Sequence, residues 1–184
     1  MRFLLHLKHW QLFLLTWGAA LLFNFVVLID MRLMLYAFPV MILLFALGML
    51  GWIWAIATQL HPLVPADAGL KLGRFKVLFR IPVVYMLLLP AVVGYNYYYR
   101  SEAADDSGMG IAIALLLLGH LLSMACIVYG LRFAAKTLKS AELQREAHLS
   151  EYLGEFFMIW FSVIGVWVLQ PRLNLLVRQA ELRP

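Results

Sequence analysis

Few side chains in this 184-residue chain combine a reactive type with a position where it could matter, because 64% of the residues are hydrophobic and only 14% are charged. The most suggestive is His120, deep in an apolar stretch, with Ser123 three and Met124 four residues on. On a helix these share one face. A histidine at that depth can relay a proton or bind a metal. One imidazole does not make a metal site, however, and His6, His9, His61 and His148 fall near the other end of the spans. A hydrogen bond to Asn24 or to a backbone carbonyl is the role expected for His120, and such interhelical bonds average only ~0.6 kcal/mol.

A second polar group flanks the last apolar stretch: Glu155 before it, then Gln170, Arg172 and Asn174 after it. Around Pro171 this cluster is expected to cap a helix end and to hold Arg172 among lipid headgroups. A third group, Lys71, Arg74 and Lys76, alternates with apolar residues and is expected to lie on a membrane surface against lipid phosphates. No nucleophile elbow, phosphate loop, HExxH motif or intramembrane carboxylate pair appears. The sequence therefore names no catalytic residue, metal site or cofactor, and an enzyme is not the expected class. The single cysteine, Cys126, has no intrachain partner for a disulfide.

The elements that must position these residues are long apolar runs at 12–29, 33–60, 77–99 and 110–134, and a shorter one at 156–169. A spanning helix needs about 20 mostly apolar residues to cross ~30 Å of hydrocarbon. Soluble domains carry about 25% charged residues and have no use for four such runs. The expected fold is all-α: one integral membrane domain over 1–184 with four transmembrane helices, a fifth short segment and a cytoplasmic helical extension at 135–150. The net charge of +5 is explained by basic residues at helix ends, not by nucleic acid.

Those basic residues set the expected sidedness. With the N-terminus in the cytoplasm, the first segment, the second linker and the fourth linker hold ten Lys and Arg, and the outer linkers hold two, Arg32 and Arg100. The tail's Arg172, Arg178 and Arg183 join the inner count if the fifth segment turns back. That segment has 14 residues, ~21 Å as a helix, which suits a re-entrant or interfacial element better than a full span. Gly165 is the expected bend.

Finer features complete the reading. Asp30, Met31 and Arg32 make a tight antiparallel hairpin of the first two spans, and Ala46, Gly48, Gly51 and Ala55 permit close helix approach. Trp52, Trp54 and the tyrosines at 95–99 are expected at the two interfaces, ahead of an acidic outer stretch at 101–106.

Lys8-His9-Trp10-Gln11, the stretch Ala135-Lys136-Thr137-Leu138-Lys139-Ser140, and above all the text from Glu155 to Asn174 resemble a group of small bacterial multi-pass membrane proteins without a known activity. That group often has Phe-Pro where this chain has Ser162-Val163. The resemblance implies a bacterial cytoplasmic (inner) membrane and supplies no chemistry. The expected function is thus a non-enzymatic scaffold, sensor or accessory subunit. Its partners are membrane lipids and a protein or second copy held through helix faces or the 135–150 extension. A small oligomeric channel or transporter comes second, and a lipid-acting membrane enzyme third.

Overall fold

The structure is a computed structural model that describes residues 3–99 and 109–182. The tyrosine-belt side chains and the acidic stretch at 101–106 lie outside the described residues. Among those described, every regular element is helical. Two short helices, α1 (Phe3–His6) and α2 (His9–Phe13), lead through a π-helical turn at Leu14–Gly18 into α3 (Ala19–Ile29). The π turn has a local cause: the Thr16 hydroxyl donates to Leu12 O at 2.9 Å and Phe13 O at 3.2 Å, inserting into the backbone ladder. Asp30 then caps a single 3-10 turn, its carboxylate accepting from Arg32 N at 2.8 Å, and the chain reverses into α4 (Met34–Gln59).

The expected α3–α4 hairpin is present. Trp17 packs edge-on against Phe45 at 5.1 Å and Phe23 lies 5.8 Å from Phe38. Gly48 permits the crossing, since a Cβ there would lie 3.0 Å from Thr16 Cγ2 and 3.2 Å from Leu15 O. Helices α5 (Leu72–Tyr99) and α6 (Met109–Leu143) form a second antiparallel pair. Phe75 stacks on Phe133 at 4.7 Å, and Tyr85 Oη donates to Leu116 O at 3.2 Å. A Cβ at Gly130 would fall 2.3 Å from the Phe79 ring, so only glycine admits that ring.

Three segments, His9–Ile29, Ala37–Leu63 and Gly110–Leu143, are long and apolar enough to cross a membrane. Helix α5 is 28 residues long but is not among them. Its first turns carry Arg74, Lys76 and Arg80.

The C-terminal part departs from the sequence reading. Helix α6 ends at Leu143, where Gln144 takes a left-handed conformation (φ 53°). A new helix, α7 (Leu149–Trp160), breaks at Phe161 and continues as α8 (Ser162–Glu181). The break turns the chain back. Were α7 and α8 collinear, Glu155 and Arg172 would be ~25 Å apart; instead Arg172 Nη2 lies 2.8 Å from Glu155 Oε1. Gly165 is the contact point of the fold-back, not its bend. A Cβ there would sit 1.7 Å from Met158 O. Pro171 neither stops nor caps the helix, which runs ten residues past it. The helical extension expected at 135–150 ends at Leu143, and it is packed: Leu138 and Ala141 are buried in the core and α7 lies on α6.

The core occupies one end of the bundle. Leu5, Leu12, Trp52, Ile56, Phe75, Leu138, Ile159 and Leu169 are all fully or almost fully buried there. At the other end Leu22, Leu28, Ile111, Leu115 and Leu118 stay exposed.

Candidate functional site

The polar groups of the packed end are brought together by the fold-back. Helix α7 returns along α6 and carries Glu155 inward; α8 leaves along α1 and α2 and carries Gln170, Arg172 and Asn174. Where α6, α7 and α8 meet, four charges form one network. Arg172 donates to both Glu142 oxygens (Nε at 2.9 Å, Nη2 at 2.6 Å) and to Glu155 at 2.8 Å. Lys139 donates to Glu155 at 3.2 Å and lies 3.7 Å from Glu142. Two acids balance two bases. Glu155, only 4% exposed, is held by both cations, which is what keeps a buried carboxylate tolerable.

Beside this network, Gln170 is fully buried and fully used. Its Oε1 accepts from Trp52 Nε1 at 3.0 Å, and its Nε2 donates to Leu4 O and Leu7 O, each at 2.9 Å. Asn174 Nδ2 donates to Leu7 O at 3.2 Å. Leu4 and Leu7 lie at the break between α1 and α2, where the end of a short helix leaves carbonyls without intrahelical donors. Gln170 and Asn174 thus stitch the N-terminal break to α8, and Gln170 ties both to α4. Higher in the fold, Trp17 Nε1 donates to Ser162 Oγ at 3.2 Å.

At the rim, Arg145 grips the Glu151 carboxylate through two nitrogens, and Glu151 also accepts from His148 N at 2.8 Å. The arginine bond, with the backbone bond next, pulls the Glu151 carboxyl down to about 2. Lys136 reaches Glu146 at 2.6 Å and holds that carboxyl below its ordinary value.

The residues singled out from sequence fare differently. Glu155, Gln170, Arg172 and Asn174 do converge, Glu155 and Gln170 buried and Arg172 and Asn174 half-buried, and Arg172 is engaged by Glu142 and Glu155. Trp52 is likewise no interface anchor; it is fully buried. Asn24 is exposed and bonds its own helix at Ala20 O, 2.8 Å away. His120 is exposed, with its ring 5.9 Å from Tyr85, and the bond expected to Asn24 is not made. Ser123 turns inward instead, 4% exposed, its Oγ without a hydrogen-bond partner. Lys71 and Arg74 are exposed and Lys76 is half-buried at the start of α5. The histidines of the packed end are spent separately: His9 packs on Trp167 at 4.8 Å, His61 Nε2 is 3.1 Å from Leu70 O, and His6 approaches Glu181.

Sequence reasoning missed Glu142, Lys139 and Trp52 as partners. A usable signal was present, since Lys139 and Glu142 stand three apart on a helix and can present one paired face. Chemically, the arrangement binds its own parts. Its carboxylates are paired with cations and the Gln170 amide makes its full set of hydrogen bonds.

No protein-family model matches this chain, and neither a curated protein nor a solved structure matches it.

Proposed function

We propose that this chain is a four-crossing protein of the bacterial cytoplasmic membrane, with α7–α8 as a re-entrant hairpin. In this reading it is a non-enzymatic scaffold, sensor or accessory subunit. Helix α5 serves as the fourth crossing: its 28 residues reach ~42 Å, long enough even with its first two turns at the headgroup level. Sidedness follows from what shares the packed end. His6 lies 3.6 Å from Glu181, and Gln144 donates to Leu63 O at 3.2 Å, so α1, the α4–α5 linker, the α6–α7 turn and the end of α8 are neighbours. Among the described residues that end carries 11 of the 12 Lys and Arg, all but Arg32, which supports a cytoplasmic placement.

One contrast carries the functional reading. The charges are neutralised among themselves, while α6 buries only 11% of its most apolar stretch. Ile111, Leu115, Leu118 and Leu122 fall on one stripe and are each more than half exposed. A bare apolar stripe above a locked polar end suits a protein that holds another membrane helix. The expected partner surface therefore moves from the 135–150 extension, which α7 covers, to the outer half of α6.

A photo-crosslinking residue placed at Leu115 or Leu118 in native membranes tests this. The expected result is one protein adduct of defined mass at both positions and none at Leu138. Purified protein in liposomes should neither conduct ions nor turn over lipid. Protein-dependent ion flux would support the channel reading and overturn this one. Lipid turnover lost on His120→Ala or Glu155→Gln would do the same for an enzyme, and adducts to lipid alone would remove the scaffold.

A further inference from the structure

Between α4 and α5 lies a cleft of about 300 Å³. Its α4 wall runs from Leu43 to Trp54, and its α5 wall includes Val83, Val84 and Leu87. These twelve residues of α4 span ~16 Å, close to the ~15 Å depth of one leaflet of a ~30 Å hydrocarbon core. Arg80 is the one charged residue in the lining. It stands at the Trp54 end, since Trp54 packs against Phe75 and Phe79. Lys76 lies one helical turn further toward the linker on the same face of α5. A cationic mouth at one end of a leaflet-deep apolar trough matches an amphiphile with one anionic head and an extended tail.

We infer that this cleft is a binding site for an anionic phospholipid of the inner leaflet, with an acyl chain along Leu43, Leu47 and Val84 and its phosphate at Arg80 and Lys76. The inference rests on the membrane reading given above. The exposed Arg80 guanidinium supplies charge and planar donors for a phosphate. The aliphatic part of its side chain runs along the trough. A zwitterionic lipid fits the trough equally well but gains less from the mouth. Selectivity is therefore expected to reside in Arg80, and retention in the apolar walls.

Native mass spectrometry of the full chain in neutral detergent tests this with phosphatidylglycerol and phosphatidylcholine of identical chains. One phosphatidylglycerol should be retained in preference to phosphatidylcholine, and Arg80→Ala should reduce that preference about fivefold. Val84→Trp fills the cleft from a half-exposed position and should weaken both lipids. Leu47→Trp, also exposed, serves if the first variant fails to fold. Lys71→Ala and Arg74→Ala, outside the cleft, should change nothing. Equal retention of the two lipids overturns the site. So does a loss on Lys71→Ala as large as on Arg80→Ala, or displacement of the lipid by inorganic phosphate alone. Protein that stays monodisperse in buffer without detergent would instead sink the membrane reading itself.

Discussion

The two ends of this bundle solve opposite problems. At one end, α1, α2, α4 and α6–α8 bury large side chains and close their polar groups in pairs: Trp52 with Gln170, Arg172 with Glu142 and Glu155, Arg132 Nε with Tyr152 Oη at 3.0 Å. At the other end, α3 and the first half of α6 diverge and leave leucines and isoleucines uncovered. In water each of these uncovered side chains would forgo about 1–2 kcal/mol of burial. In hydrocarbon, lipid tails or another membrane helix cover those faces at no such cost, so nothing forces this chain's own helices together there. Packing is therefore concentrated where buried polar groups demand partners, and the ordinary apolar drive shapes the rest only weakly.

The most severe way to break this contrast is at the fold-back. Gly165→Ala drives a Cβ into the Met158 backbone carbonyl, which a side-chain rotation does not relieve. It should cost ~3 kcal/mol or more, open the α7–α8 hairpin, and show as a collapse of the melting transition in detergent.

Next in size is the charge network. Arg172→Ala leaves Glu155 with Lys139 alone inside the packed end. A destabilisation on the order of 3 kcal/mol is expected, read by thermal melting, and Glu155→Gln in the same background should recover part of it. A full loss with no recovery would mean that Arg172 acts through packing and not through charge.

A matched pair then sharpens the comparison directly. Leu138→Ala removes a fully buried side chain and should cost ~2–4 kcal/mol. Leu118→Ala, 64% exposed, should cost less than about 0.5 kcal/mol in detergent or bilayer. Equal costs would show that a second copy of the chain covers α6 in the purified protein.

The smallest effect concerns pH. Glu151 titrates near 2 in the folded chain against an ordinary 4.5, so its contribution is complete above 4.5, declines as the pH falls below that, and is gone below about 2. Melting temperatures followed from pH 6 to pH 2 should fall across that window, and Glu151→Gln should flatten the slope there.

Much of the architecture was legible in advance. The α3–α4 hairpin followed from Asp30-Met31-Arg32 between two apolar runs, and Gly48 marked the close approach, because turn length and missing side-chain volume are local properties. Glu155, Gln170, Arg172 and Asn174 were also conspicuous, since polar residues in apolar text are costly and need a reason. Their partners were not legible. Gln170 meets carbonyls 166 and 163 residues away, and Glu142 meets Arg172 across 30 residues. No spacing rule reaches that far. His120 and Ser123 illustrate the same limit, because a shared helical face did not say which residue would look inward.

Composition and run length determined, unaided, that this chain is helical and carries segments long and apolar enough to cross a membrane, for hydrophobic length is a local property that needs no neighbours. Tertiary structure alone decided that the bend of the last apolar segment falls at Phe161 and not at Gly165, and which partners its polar flanks would meet. Those outcomes depend on which carbonyls, carboxylates and ring faces arrive together, and such meetings are settled by packing between helices distant in the chain.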